Sequence, residues 1–208
     1  MTSQQLLPVT TRSLGGMRVG TPFGDVETKP APGALARVQA LINTRDLEKG
    51  VDLLADPVQA SQWLSDHGLA PPREILSREN VGAVVAVREA LRALTIHSAG
   101  GPAPTIEALR GLQDVTGQAT ARAVLDEHGS IRLEPTADSV RGRLLSLLLQ
   151  VRDAQADGTW AHLKACANPD CLWAFYDRSR NHGGTWCTMA GCGNKLKNRD
   201  FRARRRTD

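Results

Sequence analysis

Cys166-Ala-Asn-Pro-Asp-Cys171 and Cys187-Thr-Met-Ala-Gly-Cys192 decide how this chain is read. They hold all four cysteines of the 208 residues, with four residues inside each pair and fifteen between the pairs. Tetrahedral zinc needs four ligands converging on one point, and two short-range pairs supply them with little chain entropy left to lose. Asn168-Pro169-Asp170 is turn-forming and can curl the backbone around a metal. Gly191 and Gly193 flank Cys192 and permit tight geometry beside a ligand. Two disulfides, four free buried thiols and an Fe–S cluster are the competing readings. Met1-Thr-Ser-Gln-Gln-Leu-Leu does not read as a secretory signal, which disfavours disulfides. Matched spacing at both ends of one segment disfavours chance, and no redox context points to iron and sulfide. The expectation is one structural Zn2+ on Cys166, Cys171, Cys187 and Cys192. His182, in the intervening loop, is a possible substitute ligand.

A module this short, with few aliphatic residues, takes its folding free energy from the metal. Leu172-Trp173-Ala174-Phe175-Tyr176 reads as a short strand whose apolar side chains cover the site. A last helix is expected over roughly 188–206, with the second cysteine pair at its start. Lys195, Arg199, Arg202 and Arg206 fall at steps of four, three and four, so they share one face. Lys197, Arg204 and Arg205 widen that stripe, and Arg178 and Arg180 stand just upstream. Such a helix can lie against phosphates or enter a major groove. A merely solvated C-terminus is the plainer alternative. Beside a zinc module with Trp173, Tyr176 and Trp186, nucleic-acid contact is the favoured reading, with phosphate contact better supported than base reading.

Working outward, the chain divides in two. Residues 1–159 carry a net charge of −2, whereas residues 160–208 carry +6 and six of the eight aromatics. Hydrophobic residues make up 41% and charged residues 23%, as in an ordinary globular protein. No apolar run approaches the roughly 18–20 residues of a membrane span, so no membrane role is expected. The expected compartment is the cytoplasm.

Residues 1–33 read as a loose segment with a possible short strand near Met17–Val19. Residues 34–159 read as a mostly helical domain. A helix after Pro32-Gly33 carries Leu35, Val38, Leu41 and Ile42, and Asn43-Thr44-Arg45-Asp46 reads as its polar exit or turn. Asp56 caps a helix that opens at Pro57, carries Val58, Ser61, Trp63 and Leu64, and closes at His67-Gly68. Arg78 to about Ser98 is the clearest helix. Pro104-Thr105 opens another, with Ile106, Leu109 and Leu112. Ala121–Asp126 and Ser130–Glu134 flank Glu127-His128-Gly129 as a β-hairpin. Thr136 to Ala156 returns to helix. The fold class is α+β: a mostly helical domain with a hairpin, then a four-cysteine zinc module over 160–208 ending in a basic helix. The larger domain shows no phosphate loop and no nucleophile elbow. His67, His97 and His128 read as ordinary surface or helix-end residues.

The C-terminal stretch resembles the CGNR zinc finger family. The residues that carry the resemblance are Cys166-Ala-Asn-Pro-Asp-Cys171, Phe175-Tyr176-Asp177-Arg178-Ser179-Arg180-Asn181-His182, Trp186-Cys187, Met189-Ala190, Cys192-Gly193-Asn194 and Arg204-Arg205-Arg206. Leu41-Ile42-Asn43-Thr44-Arg45-Asp46 and Val51-Asp52-Leu53-Leu54 resemble, more weakly, the ABATE domain that usually precedes this finger. The resemblance implies zinc on the four cysteines, DNA binding by the finger, and a bacterial, stress-induced transcription regulator. Lys195 stands where the signature ends in Arg; it keeps the charge and loses the planar fork. Gly183-Gly184-Thr185 replaces a loop that is usually basic, and Ala36–Ala40 replaces a more apolar helix.

The leading reading is therefore a regulator whose larger domain senses a small-molecule effector or partner. An enzyme or small-molecule binder with a pocket at Asn43, Arg45, Trp63 or His182 is the second, with catalysis the less expected outcome. A protein-interaction adaptor using exposed Trp173 and Trp186 is the third.

Overall fold

A computed structural model describes residues 21–205. The strand expected near Met17–Val19 lies outside them, as does Arg206. Four helices form the body: α1 (Leu35–Ile42), α2 (Pro57–Asp66), α3 (Arg78–Ser98) and α5 (Val140–Ala156). A further helix, α4 (Arg110–Gln118), packs on α3 and α5. Three two-stranded antiparallel sheets are added: β1–β2 (Arg45–Asp46, Val51–Asp52), β3–β4 (Ala121–Leu125, Ile131–Pro135) and β5–β6 (Leu163–Ala165, Ala174–Tyr176). The chain ends in α6 (Asn194–Arg204). This is the expected α+β class.

Local chemistry sets the helix ends. Asp56 accepts from the Val58 and Gln59 amides at 3.0 and 2.9 Å, with Pro57 as the first helical residue. Ser77 accepts from Asn80 and Ser139 from Gly142, so α3 and α5 also begin on hydroxyl caps. On α3, Val81, Val84, Val87 and Leu91 are buried against Leu41, Leu64, Leu144 and Leu147 from α1, α2 and α5. Each such side chain contributes roughly 1.5–3 kcal/mol on burial.

Three expectations are corrected. α4 starts at Arg110 rather than at Pro104-Thr105, and Ile106 is left exposed. What α4 needs is close approach: a Cβ on Gly111 would lie 2.5 Å from the Ala86 backbone. Val58 faces solvent, and α2 buries Ala60, Ser61 and Leu64 instead. Asn43 and Thr44 make the expected turn at the end of α1, fully buried, but Arg45–Asp46 is a short strand paired with Val51–Asp52 rather than part of that turn.

The β5–β6 hairpin joins the cysteine module to the body. Alternation along β6 sends Ala174 and Tyr176 into the main core and Phe175 into the cysteine cluster. Residues 27–31, within the segment expected to be loose, run along the same hairpin. The Tyr176 amide donates to Lys29 O at 3.0 Å, and Gln39 holds Ala31 N and Lys29 O with its two amide ends.

Candidate metal centre and nucleic-acid face

Strand β5 delivers Cys166 directly into a tight turn. The Cys171 and Leu172 amides both donate to Asn168 O, at 2.9 and 3.0 Å, and Leu172 takes a positive φ of 48°. Asn168 is buried, and its side-chain amide reaches Cys192 Sγ at 3.5 Å, tying the first pair to the second. The second pair brackets the start of a single wide turn, Met189–Gly193: Cys187 stands just before its cap, Cys192 lies on it, and the Thr188 hydroxyl accepts from Gly191 N. Gly193 lies close under Met189, whose Sδ would be 2.7 Å from a Cβ there, so a larger residue would displace that side chain.

These turns bring the four buried thiols together. All four Sγ atoms lie within 4.8 Å of one another, and Cys171–Cys187 and Cys187–Cys192 are each 3.8 Å apart. Zinc–sulfur bonds of about 2.3 Å in a tetrahedron put sulfurs about 3.8 Å apart, so the residues fit one zinc ion. A disulfide needs about 2.05 Å, and the four cysteines are unbridged. The thiols alone cannot all ionise at this range. Hydrogen bonding from Cys171 holds Cys166 down to about 2, while the contact with Cys166 pushes Cys187 up to about 12 and Cys171 further still. A divalent cation removes that conflict by taking all four as thiolates. Backbone amides of Cys187 and Asn168 donate to Cys166, and that of Trp173 to Cys171. Phe175 is fully buried beneath the centre, with Trp173 and Trp186 packed on it.

The loop between the pairs is held by Asp177. Its carboxylate accepts from Lys164 Nζ at 2.9 Å, Ser179 N at 3.0 Å and Gly184 N at 2.7 Å. Burial pushes this carboxyl up, but those hydrogen bonds outweigh burial and hold it well below the usual carboxylate range. Gly184 has a structural reason: a Cβ would sit 2.7 Å from the Asp177 carboxylate. His182 stands away from the sulfurs, its exposed ring 4.0 Å from that of His162.

On α6, Leu196 is the buried anchor, and Lys195, Lys197, Arg199 and Arg202 are exposed. Lys195, Arg199 and Arg202 line one open groove of about 530 Å³ with Asn168, Asp170 and Asn198. Lys195 also reaches Glu48 of the β1–β2 turn at 2.5 Å, which raises its pKa. Arg178 turns back to Pro30 O at 3.0 Å and lies over the Tyr176 ring, while Arg180 is exposed. Arg204 lies in α6, and Arg205 follows it.

The residues proposed for a pocket have separate partners. Asn43 grips the Ala174 backbone, accepting from its N–H at 2.8 Å and donating to its C=O at 2.9 Å. Arg45 is half-exposed and lies 3.8 Å from Glu89. Trp63 stacks on His67 at 3.8 Å, far along the chain from the finger.

Two buried arginines went unread in the sequence, and one of them, Arg92, joins the body to the finger. Arg88 is wholly buried and makes paired bonds to Asp52 at 2.6 and 2.8 Å. Arg92 donates to Ile42 O at 2.7 Å and to Leu172 O in the first cysteine turn at 3.2 Å. The signal was present: both fall on the stripe of Val81, Val84 and Leu91, where a charge needs a buried partner.

A helical α+β body with a four-cysteine zinc module defines the class. A family model for the CGNR zinc finger matches residues 162–205, and one for ABATE, described as "Putative stress-induced transcription regulator", matches residues 33–164. The second spans more than half of the chain, so the protein belongs to the ABATE family and carries a CGNR zinc finger at its C-terminal end. Comparison with curated proteins gives no match.

Proposed function

We propose that this protein is a DNA-binding transcription regulator that contacts phosphates through α6. The observation that carries the reading is the row Lys195, Arg199 and Arg202, exposed along one groove on a helix anchored to the zinc centre. Zinc holds the helix start, so the row is presented on a rigid support and little ordering entropy is lost on binding. Lys197, Arg180 and the cations at Arg204, Arg205 and Arg206 extend the positive field. Arg178 belongs to it more weakly, because it is engaged with Pro30. The larger domain acts as the sensing part, for a small molecule or a partner, and the working compartment is the cytoplasm. Among the described residues no helix is long and apolar enough to cross a membrane.

The adaptor reading draws less support, since Trp173 and Trp186 pack on the metal cluster and the Trp173 indole donates to Glu27 at 3.1 Å. The test is duplex binding by an Arg199→Ala/Arg202→Ala double variant. Two lost phosphate contacts should flatten the log–log salt slope by about 2 and weaken binding at least tenfold at low salt. Unchanged affinity and slope would show that α6 is not the contact surface.

A further inference from the structure

Among the described residues, nothing covers one apolar face of the β3–β4 hairpin. Its ten residues are all exposed or half-exposed. Register pairs Ala121 with Pro135, Ala123 with Leu133 and Leu125 with Ile131. Directly opposed residues share a face, so these six make one wholly apolar side. Leu125 is 68% exposed, Ile131 73% and Leu133 40%. The other side carries Arg122, Val124, Arg132 and Glu134, with Arg132 3.6 Å from Glu134. A lone two-stranded hairpin is marginal in water, and three such side chains in the open mark a contact surface.

We propose that this face docks on the same face of a second copy of the chain. The charge of the hairpin fits a like partner. Residues 121–135 hold two arginines and three carboxylates, so copies do not repel strongly and a nucleic-acid partner finds no positive field. The shape fits as well. The face has a small row, Ala121 and Ala123, beside a large row, Ile131 and Leu133. A two-fold axis parallel to the strands stacks β3 of one copy over β4 of the other. Ala121 then faces Pro135 of the second copy and Ala123 faces its Leu133, so a larger side chain enters the space over a small one, while Leu125 and Ile131 meet at the tip. The patch is smaller than the about 800 Å² per partner of a standard interface, which predicts a weak, concentration-dependent dimer with a dissociation constant on the order of 10 µM.

Sedimentation equilibrium of the full zinc-loaded chain tests this over a range from about 1 to 200 µM, spanning that constant on both sides. The expected result is a mass rising from 22.4 kDa towards twice that value. Leu133→Lys, at an exposed position, should hold the mass at that of the monomer throughout. Arg132→Ala, on the opposite side, should leave the dimer intact. A wild-type chain that stays monomeric overturns the proposal and leaves the face to a different partner. A dimer that survives both Leu133→Lys and Ile131→Lys overturns it too, because the copies then meet elsewhere.

Discussion

Lys195 Nζ lies 2.5 Å from Glu48 Oε1, so the first cation of the α6 row is paired with a turn of the helical body. That turn is itself held from the core. Arg88 clamps Asp52 on β2, and its Nη1 reaches the Thr44 hydroxyl at 3.2 Å. Besides the bonds of Gln39 and Asn43 to Ala174, the body therefore holds the finger at Lys195 through Glu48 and at Leu172 through Arg92. Any change in the body that moves β1–β2 alters the charge that α6 presents.

Glu48→Gln should release Lys195 without disturbing the fold, since both side chains are largely exposed. An exposed ion pair is weak, so its loss should raise duplex affinity only modestly, about two- to fivefold. The salt slope should steepen by close to 1 as one more phosphate is neutralised. Fluorescence anisotropy on one duplex at several salt concentrations reads both quantities. No change in either would show that Lys195 takes no part in binding.

Asn43→Leu keeps the volume and removes both bonds to the Ala174 backbone. The buried Ala174 N–H then loses its partner while the C=O keeps Gln39, which costs about 1–3 kcal/mol. Urea unfolding should show a lower midpoint with one cooperative transition. A midpoint within error of the parent would remove Asn43 from the account of how the finger is attached.

Chelation should release one zinc per chain and destabilise more than the finger. Ala174 and Tyr176 belong to the main core, so loss of the metal-held turn loosens that core as well. A fall in Tm of about 10 °C or more is expected for the loss of several kcal/mol. Cys166→Ser should give the same Tm without chelator. Two separate transitions, with the larger unchanged, would contradict this coupling.

Asp52 makes stability depend on pH. Burial pushes its carboxyl up, but the bonds from Arg88 and the Leu54 amide outweigh burial and set it below its ordinary value. A depressed carboxylate contributes stability that is fully present above the unfolded pKa of about 3.9 and is lost as pH falls below it. Asp52→Asn should be less stable than the parent at pH 7, and the gap should close below about pH 4. Parallel urea midpoints between those limits check it. Acid also protonates the cysteines, but equally in both proteins, so the gap isolates Asp52. A gap that stays constant would contradict the assignment.

The parts legible in the sequence were those set by local chemistry. The paired cysteines announced the metal site, Asp56-Pro57 announced α2, and the spacing of Val81, Val84 and Leu91 announced α3. The unread parts depend on residues far apart in the chain. Gln39 and Asn43 look like ordinary polar positions on and after a helix, and only the approach of Ala174, over 130 residues later, gives them their role. Arg88 and Arg92 break the apolar stripe for the same reason. Gly184 looked like a lost basic position, whereas its lack of a side chain admits the Asp177 carboxylate. The start of α4 was misplaced because a Pro-Thr opening is a local signal, and the packing of Gly111 on Ala86 is not.

The most direct measurement is anisotropy of the zinc-loaded full chain on mixed-sequence duplex DNA, titrated with salt. The account predicts micromolar or tighter binding at low salt, with a log–log slope of about −3 or steeper from Arg199, Arg202 and the neighbouring cations that Glu48 does not hold. Absence of binding at low salt would contradict it.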